Sequence, residues 1–134
     1  MKFADFFSGI GGFRLGLERA GHDCIYSCEI NDFCREVQNE RFGKVPEGRD
    51  INEVQAADIP DADLWCGGWP CQGNSSAGQR RGLLDPRSGL IGRFLDLVGE
   101  KKPTWLFLEN VPGALSVNSG KDWEAILGRM AELG

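Results

Sequence analysis

The chain has 134 residues, enough for one domain, and its 41% hydrophobic and 26% charged content excludes a disordered or fibrous protein. Its net charge of −5 excludes a chain that attracts nucleic acid over its whole surface. No apolar run approaches the ~20 residues that span a bilayer, and the charged start at Lys2 and Asp5 does not read as a signal peptide; the expected location is cytoplasmic, with no membrane partner.

In chain order, the short apolar run Phe3 to Phe7 predicts a first strand entering a Gly-rich turn, Ser8 to Gly12. Leu15, Leu17 and Ala20 near helical spacing predict a helix that stops at Gly21. Cys24 to Cys28 reads as a second strand ending at Glu29, and Asn31 or Asp32 can cap a helix running to about Arg41. Pro46 to Arg49 is a loop, and Asp50-Ile51 is expected to end a short third strand. Asp63 to Cys66 predicts a fourth strand, followed by a long polar loop from Gly67 to about Arg87. Leu90, Ile91, Phe94, Leu95, Leu97 and Val98 mark one buried helix face. Thr104 to Leu108 predicts a fifth strand of the continuous, buried parallel type. Ser119 to Asp122 resembles a capping box, with Trp123, Ile126, Leu127, Met130 and Leu133 at helical spacing behind it.

Strand alternating with helix implies an α/β domain with a mostly parallel sheet, and such sheets bind ligands outside the carboxyl ends of their strands. The Ser8–Gly12 turn, Glu29, Asp50, the Gly67–Gln72 loop and Glu109 each lie just past an expected strand, so they should converge on one edge. A Gly-rich turn between first strand and first helix can cradle a nucleotide-like cofactor. Glu29, twenty residues after Gly9, stands where an acid accepts hydrogen bonds from ribose hydroxyls. The dinucleotide fingerprint wants a third glycine where Arg14 stands, which makes NAD the weaker reading. A turn that merely reverses the chain is the competing reading; Glu29 and Asp50 favour a cofactor.

Five cysteines, at 24, 28, 34, 66 and 71, with no Cys-x-x-Cys pair and only one histidine, His22, predict neither a disulfide framework nor a metal site. His22, after a helix end, reads as a surface residue. Cys24, Cys28, Cys34 and Cys66 fall within expected elements and read as small buried hydrophobes. Cys71 differs, because Gly67-Gly68-Trp69-Pro70 in front of it fixes a tight turn suited to presenting a reactive thiol. Glu109, directly after Trp105-Leu106-Phe107-Leu108, is expected to be partly desolvated, as a general acid needs; a carboxylate that caps the next turn is the alternative. Between Gln79 and Lys102 six basic residues face three acidic ones, so a phosphate partner is admitted at one place only.

These residues carry a resemblance. Asp5 to Phe13, Glu29, Asp50-Ile51, Gly68-Trp69-Pro70-Cys71-Gln72, Gly82 to Leu90 and Glu109-Asn110-Val111, in this order, resemble the N-terminal part of a C5-cytosine-specific DNA methyltransferase. Trp69 and Asn74 stand where that family more often has Phe. The resemblance implies a Rossmann-like S-adenosylmethionine-dependent methyltransferase fold, cut after the fifth strand and its helix. It implies S-adenosylmethionine as cofactor, with Phe7, Gly9, Ile10, Gly11 and Gly12 around it, Glu29 on the ribose, Ile30 along the adenine, Asp50 and Ile51 at the adenine edge, and Pro70 and Leu90 bordering the pocket. It implies double-stranded DNA as substrate, with a flipped cytosine attacked at C6 by Cys71 while Glu109 contacts N3. A second arginine-bearing block, a target-recognition domain and a final helix are expected outside residues 1–134, either further along the same chain or on a separate C-terminal half. A noncatalytic cofactor-binding module and an RNA cytosine methyltransferase are the alternatives.

Overall fold

The computed structural model describes residues 1–70 and 89–134. The expectations placed on Cys71, Gln72, Arg80, Arg81, Arg87 and the block from Gly82 to Ser88 lie outside the described residues. Two compact units are distinguished: Met1–Gly68 with Pro103–Glu109, and Trp69–Lys102 with Asn110–Gly134.

The first unit is built on a four-stranded sheet of β1 (Lys2–Phe6), β2 (Asp23–Cys28), β3 (Leu64–Gly67) and β4 (Trp105–Leu108), in the order β2-β1-β3-β4 and parallel throughout. Period-two alternation sends Phe3, Leu64 and Cys66 to one face, where Phe13 and Leu17 of helix α1 (Gly12–Arg19) pack on them. On the other face Phe6 sits between Trp65 and Tyr26, with ring centroids 4.6 and 5.7 Å away. Both faces of β1 and β3 are therefore buried, as a parallel sheet requires. Phe3, Phe6 and Trp65 are each wholly buried and contribute roughly 1.5–3 kcal/mol apiece, which offsets the burial of Asp5 in the same strand. Helix α2 (Asp32–Phe42) begins where expected, with Asn31 Oδ1 accepting the Cys34 N–H at 3.1 Å, and ends on Gly43 in the left-handed region.

Three expectations about elements need correcting. Asp50-Ile51 forms no strand, so the described sheet has four strands and not five; a single parallel bridge joins Gly48 to Cys28. Asp50 instead turns the chain, its Oδ1 accepting from the Asn52 backbone and side chain at 2.9 and 3.0 Å, a local bond that competes with extended backbone. β4 is not a strand buried on both faces: it lies at the sheet edge, and Trp105 and Phe107 are 60% and 52% exposed. No capping box starts the last helix. Gly120, with φ +81°, is the residue before α4, left-handed Asn118 and Ser119 precede it, and no side chain caps the first turn.

In the second unit, helix α3 (Leu90–Lys101) buries Ile91, Phe94, Leu95, Leu97 and Val98 as its spacing predicts, while Leu90 at its start is exposed. Helix α4 (Lys121–Leu133) meets it through Arg129, 3.3 Å from Asp96, and through Leu133 against Gly99. Of the apolar residues expected along α4 only Ile126 is fully buried, and Leu127 is exposed. The Trp123 ring stacks on Trp69 at 6.1 Å with planes 15° apart, and Asn110 Nδ2 donates to the Trp69 carbonyl at 3.0 Å. Among the described residues no helix is long and apolar enough to cross a membrane.

Candidate active site

Register decides where the chemistry gathers. Phe6 pairs with both Cys28 and Gly67, and Gly67 pairs with Leu108, so the four parallel strands end level. Glu29, Phe7, Gly68 and Glu109 thus follow one another along a single sheet edge, as the sequence predicts for all but the absent third strand.

The turn after β1 is tightly specified. Phe7, Gly9 and Gly11 have φ of 53°, 52° and 85°, the left-handed region that a phenylalanine adopts only under constraint. A Cβ on Gly11 would lie 2.5 Å from Phe42 Cε2, so only glycine fits beneath that ring. Glu29 fastens the turn from the next strand: its Oε2 accepts the Gly9 N–H and its Oε1 the Asn31 N–H, both at 2.7 Å. Each carboxylate oxygen offers two acceptor sites, so one on each remains for a ligand's hydroxyls. The residue set therefore fits the ribose role while also holding the protein's own backbone.

The other expected cofactor residues differ in availability. Ile10 and Ile30 are exposed, Gly12 opens α1, and Asp50 is half-buried and lines an open depression of about 350 Å³ with Tyr26, Gly48 and Glu53. Ile51 is only 4% exposed, its side chain taken into the core. Pro70 and Leu90 are exposed residues of the second unit. Arg14, where a third glycine was looked for, is buried with its guanidinium 4.3 Å over the Phe42 ring and 2.8 Å from Glu18.

Glu109 departs from expectation. It is exposed, so the desolvation expected at the strand mouth is not found, because β4 is an edge strand. Its carboxylate nevertheless lies against the neighbouring strand end: a Cβ on Gly68 would come within 2.8 Å of Glu109 Oε2. The position three residues before Cys71 must be glycine for the carboxylate to sit there.

Sequence reasoning missed three residues of α2. Arg35 Nη1 donates to the carbonyls of Glu29 at 2.9 Å and Gly48 at 2.8 Å. Gln38 and Phe42 reach the turn after β1 one and two turns further along the helix. The available signal was the i, i+3, i+7 spacing of long residues behind an N-cap. Asp5, which opens the Asp5–Phe13 block but was given no role of its own, is wholly buried, and burial pushes its carboxyl up to about 7, against the lowering effect of Cys66 and Arg14. Burial likewise pushes the Cys24 and Cys28 thiols up to about 12 and raises those of Cys34 and Cys66. His22 is half-buried, 3.1 Å from the terminal amine. Among the described residues no group of His, Cys, Asp and Glu could hold a metal ion.

The profile of the C-5 cytosine-specific DNA methylase family matches residues 1–134, the whole chain. The chain belongs to this family. It is 42% identical over 133 residues to the type II methyltransferase M.HhaI of Haemophilus parahaemolyticus, covering 99% of this chain and 40% of that protein. Type II methyltransferase M.MspI of Moraxella sp is 40% identical over 134 residues, with 99% of this chain and 32% of the relative covered. Among solved structures, the S. pombe Dnmt2 methyltransferase superposes with a TM-score of 0.77 at 28% identity, over 98% of this chain and 42% of the other. The chain thus spans about two fifths or less of the length of the curated relatives named here. The methyl donor of this family is S-adenosylmethionine.

Proposed function

We propose that the chain is the cofactor-binding and nucleophile-bearing part of a DNA cytosine-C5 methyltransferase, acting with target-recognition and C-terminal motifs that lie outside residues 1–134. The observation that carries this reading is the placement of the Glu109 carboxylate against Gly68, at the head of the Gly68-Trp69-Pro70-Cys71 segment. A carboxylate beside the strand end that leads, in sequence, toward Cys71 supports reading Glu109 and Cys71 as partners in one reaction.

In this reading the Gly9–Gly12 turn and Glu29 hold S-adenosylmethionine, with Phe7, Ile10, Ile30 and Asp50 around it. When bound, the cofactor supplies an electrophilic methyl group. A cytosine taken out of the duplex is attacked at C6 by the Cys71 thiolate. The electron pair displaced from the C5–C6 bond makes C5 nucleophilic, and Glu109 at N3 stabilises the charge that develops on the ring. After C5 has gained the methyl group, a base removes the C5 proton, the C5–C6 double bond re-forms and Cys71 leaves as thiolate. The comparison among the cysteines supports Cys71: Cys28 and Cys66 are buried within strands, and burial raises the Cys24, Cys28 and Cys66 thiols, which makes them poorer nucleophiles.

The test is adduct formation on duplex DNA containing 5-fluorocytosine, with S-adenosylmethionine, by the chain together with the C-terminal part of a relative. Fluorine at C5 cannot leave as a proton does, so a covalent complex should accumulate, mapped to Cys71 and abolished in Cys71→Ala. Cofactor binding with no adduct in any combination identifies a noncatalytic module. An adduct at Cys66 overturns the assignment of the nucleophile.

A further inference from the structure

Gln38 is wholly buried in α2, yet it lies among neither the catalytic nor the cofactor residues of the reading above. Its Nε2 donates to Ser8 Oγ at 2.8 Å and to the Gly9 carbonyl at 2.7 Å. Both hydrogens of the amide are therefore directed at one turn, thirty and twenty-nine residues back in the chain. Its Oε1 is buried with no hydrogen-bond partner among the described residues. A glutamine placed only to fill the core would turn its amide so that both ends were satisfied, because an unpaired buried acceptor is costly. Here the reversed amide would set an acceptor against the Gly9 carbonyl, so the turn dictates the orientation.

The turn needs such a restraint. Phe7 and Gly9 both sit at positive φ, and the Ser8 side chain continues the network by donating to the Cys28 carbonyl at 3.3 Å. Gly9 is gripped at both polar atoms, its N–H by Glu29 and its C=O by Gln38, which fixes the two peptide planes on either side of it. Gln38 Cγ also stands 3.5 Å from where a Gly11 Cβ would be, so the same side chain bounds the far end of the turn. We propose that Gln38 is a positioning residue for the cofactor turn, holding Ser8 and the left-handed Gly9 in place from the underlying helix so that the turn is already shaped when the cofactor arrives. This rests on the S-adenosylmethionine reading for its purpose, though not for its geometry.

The experiment uses Gln38→Met, which keeps an unbranched side chain of similar length and removes both N–H donors. Two quantities are measured on the full chain: residue-resolved amide hydrogen exchange, and the affinity for S-adenosylhomocysteine by calorimetry. Exchange at Gly9 should speed up by about fivefold or more for the lost hydrogen bonds, while the amides of β1 and β3 keep their protection. S-adenosylhomocysteine should bind about fivefold or more weakly. Ser8→Ala removes one of the two acceptors and should give a smaller change at Gly9, which keeps the proposal testable if Gln38→Met folds poorly. Unchanged exchange at Gly9, or a rise shared equally by Gly9 and the strands, overturns the proposal; the second outcome would make Gln38 a core residue only. If the unmodified chain does not bind S-adenosylhomocysteine, it is the cofactor reading that fails, and exchange at Gly9 still judges the restraint.

Discussion

Glu29 and Gly9, twenty residues apart in sequence, are joined by a 2.7 Å hydrogen bond from the Gly9 N–H to Glu29 Oε2. The bond ties the end of β2 to the turn after β1, so a side chain read as a ligand for ribose also shapes the ligand's cradle. Glu29→Ala should weaken S-adenosylhomocysteine binding by about 10–150-fold, from charge-assisted hydrogen bonds worth ~1.5–3 kcal/mol. Calorimetry checks this, and unchanged affinity would place the cofactor elsewhere. Glu29→Gln should lose less affinity than Ala, because one acceptor oxygen survives.

Two glycines of α1, Gly11 at its N-cap and Gly16 in its interior, should respond to alanine with opposite signs. Gly11→Ala forces a Cβ into Phe42 at φ +85° and should destabilise the fold by about 1–3 kcal/mol. Gly16→Ala, in the helix interior with nothing within 4 Å, should stabilise it by about 0.5–1 kcal/mol. Urea denaturation of the two variants decides, and a loss in both would mean that α1 is held differently.

Asp5 gives the protein a pH dependence of stability. Its carboxyl is raised to about 7 in the fold from 3.8 when unfolded, chiefly by burial, so between those values the native state holds the proton more tightly. Stability from this group is full below the unfolded value and declines as pH rises through about 7. Asp5→Asn cannot ionise. Its stability relative to the parent should therefore climb by up to about 4 kcal/mol between about pH 4 and 8, then level off. A difference that stays flat with pH would show that the Asp5 carboxyl is not shifted in the fold.

How far the sequence could be read follows from what each signal measures. β1, β2, β3, α1, α2 and the buried face of α3 were legible because periodicity, the Asn31 cap and the glycine stops are local. β4 was misjudged as buried because Trp105-Leu106-Phe107-Leu108 is apolar throughout, and composition does not reveal that a strand lies at an edge. Asp50 was mistaken for a strand end because its bond to Asn52 is a choice between two local structures that the pattern leaves open. The placement of Glu29 at the turn was legible from its spacing to Gly9. The parts played by Gln38, Arg35 and Phe42 were not, since each depends on which helix face meets the turn.

Trp105 should be a liability for the isolated chain. It stands 60% exposed on an edge strand that carries no charge or proline between residues 105 and 108 to discourage pairing. Trp105→Lys should reduce concentration-dependent association seen by sedimentation, with a change in stability within about 0.5 kcal/mol. Equal association of parent and variant would show that this edge is not sticky.

The nearly parallel indoles of Trp69 and Trp123 stack 6.1 Å apart, and in the sequence Trp69 stands directly before Pro70 and two residues before Cys71. Indoles overlapping at that distance couple their ultraviolet transitions, and the coupling depends steeply on their mutual angle. A shift of the Pro70 backbone must rotate or slide one ring over the other. The chain therefore carries an unlabelled optical gauge at the residue that leads into Pro70, readable as a near-ultraviolet dichroic signal and as a change in emission when a small molecule or a nucleic acid arrives.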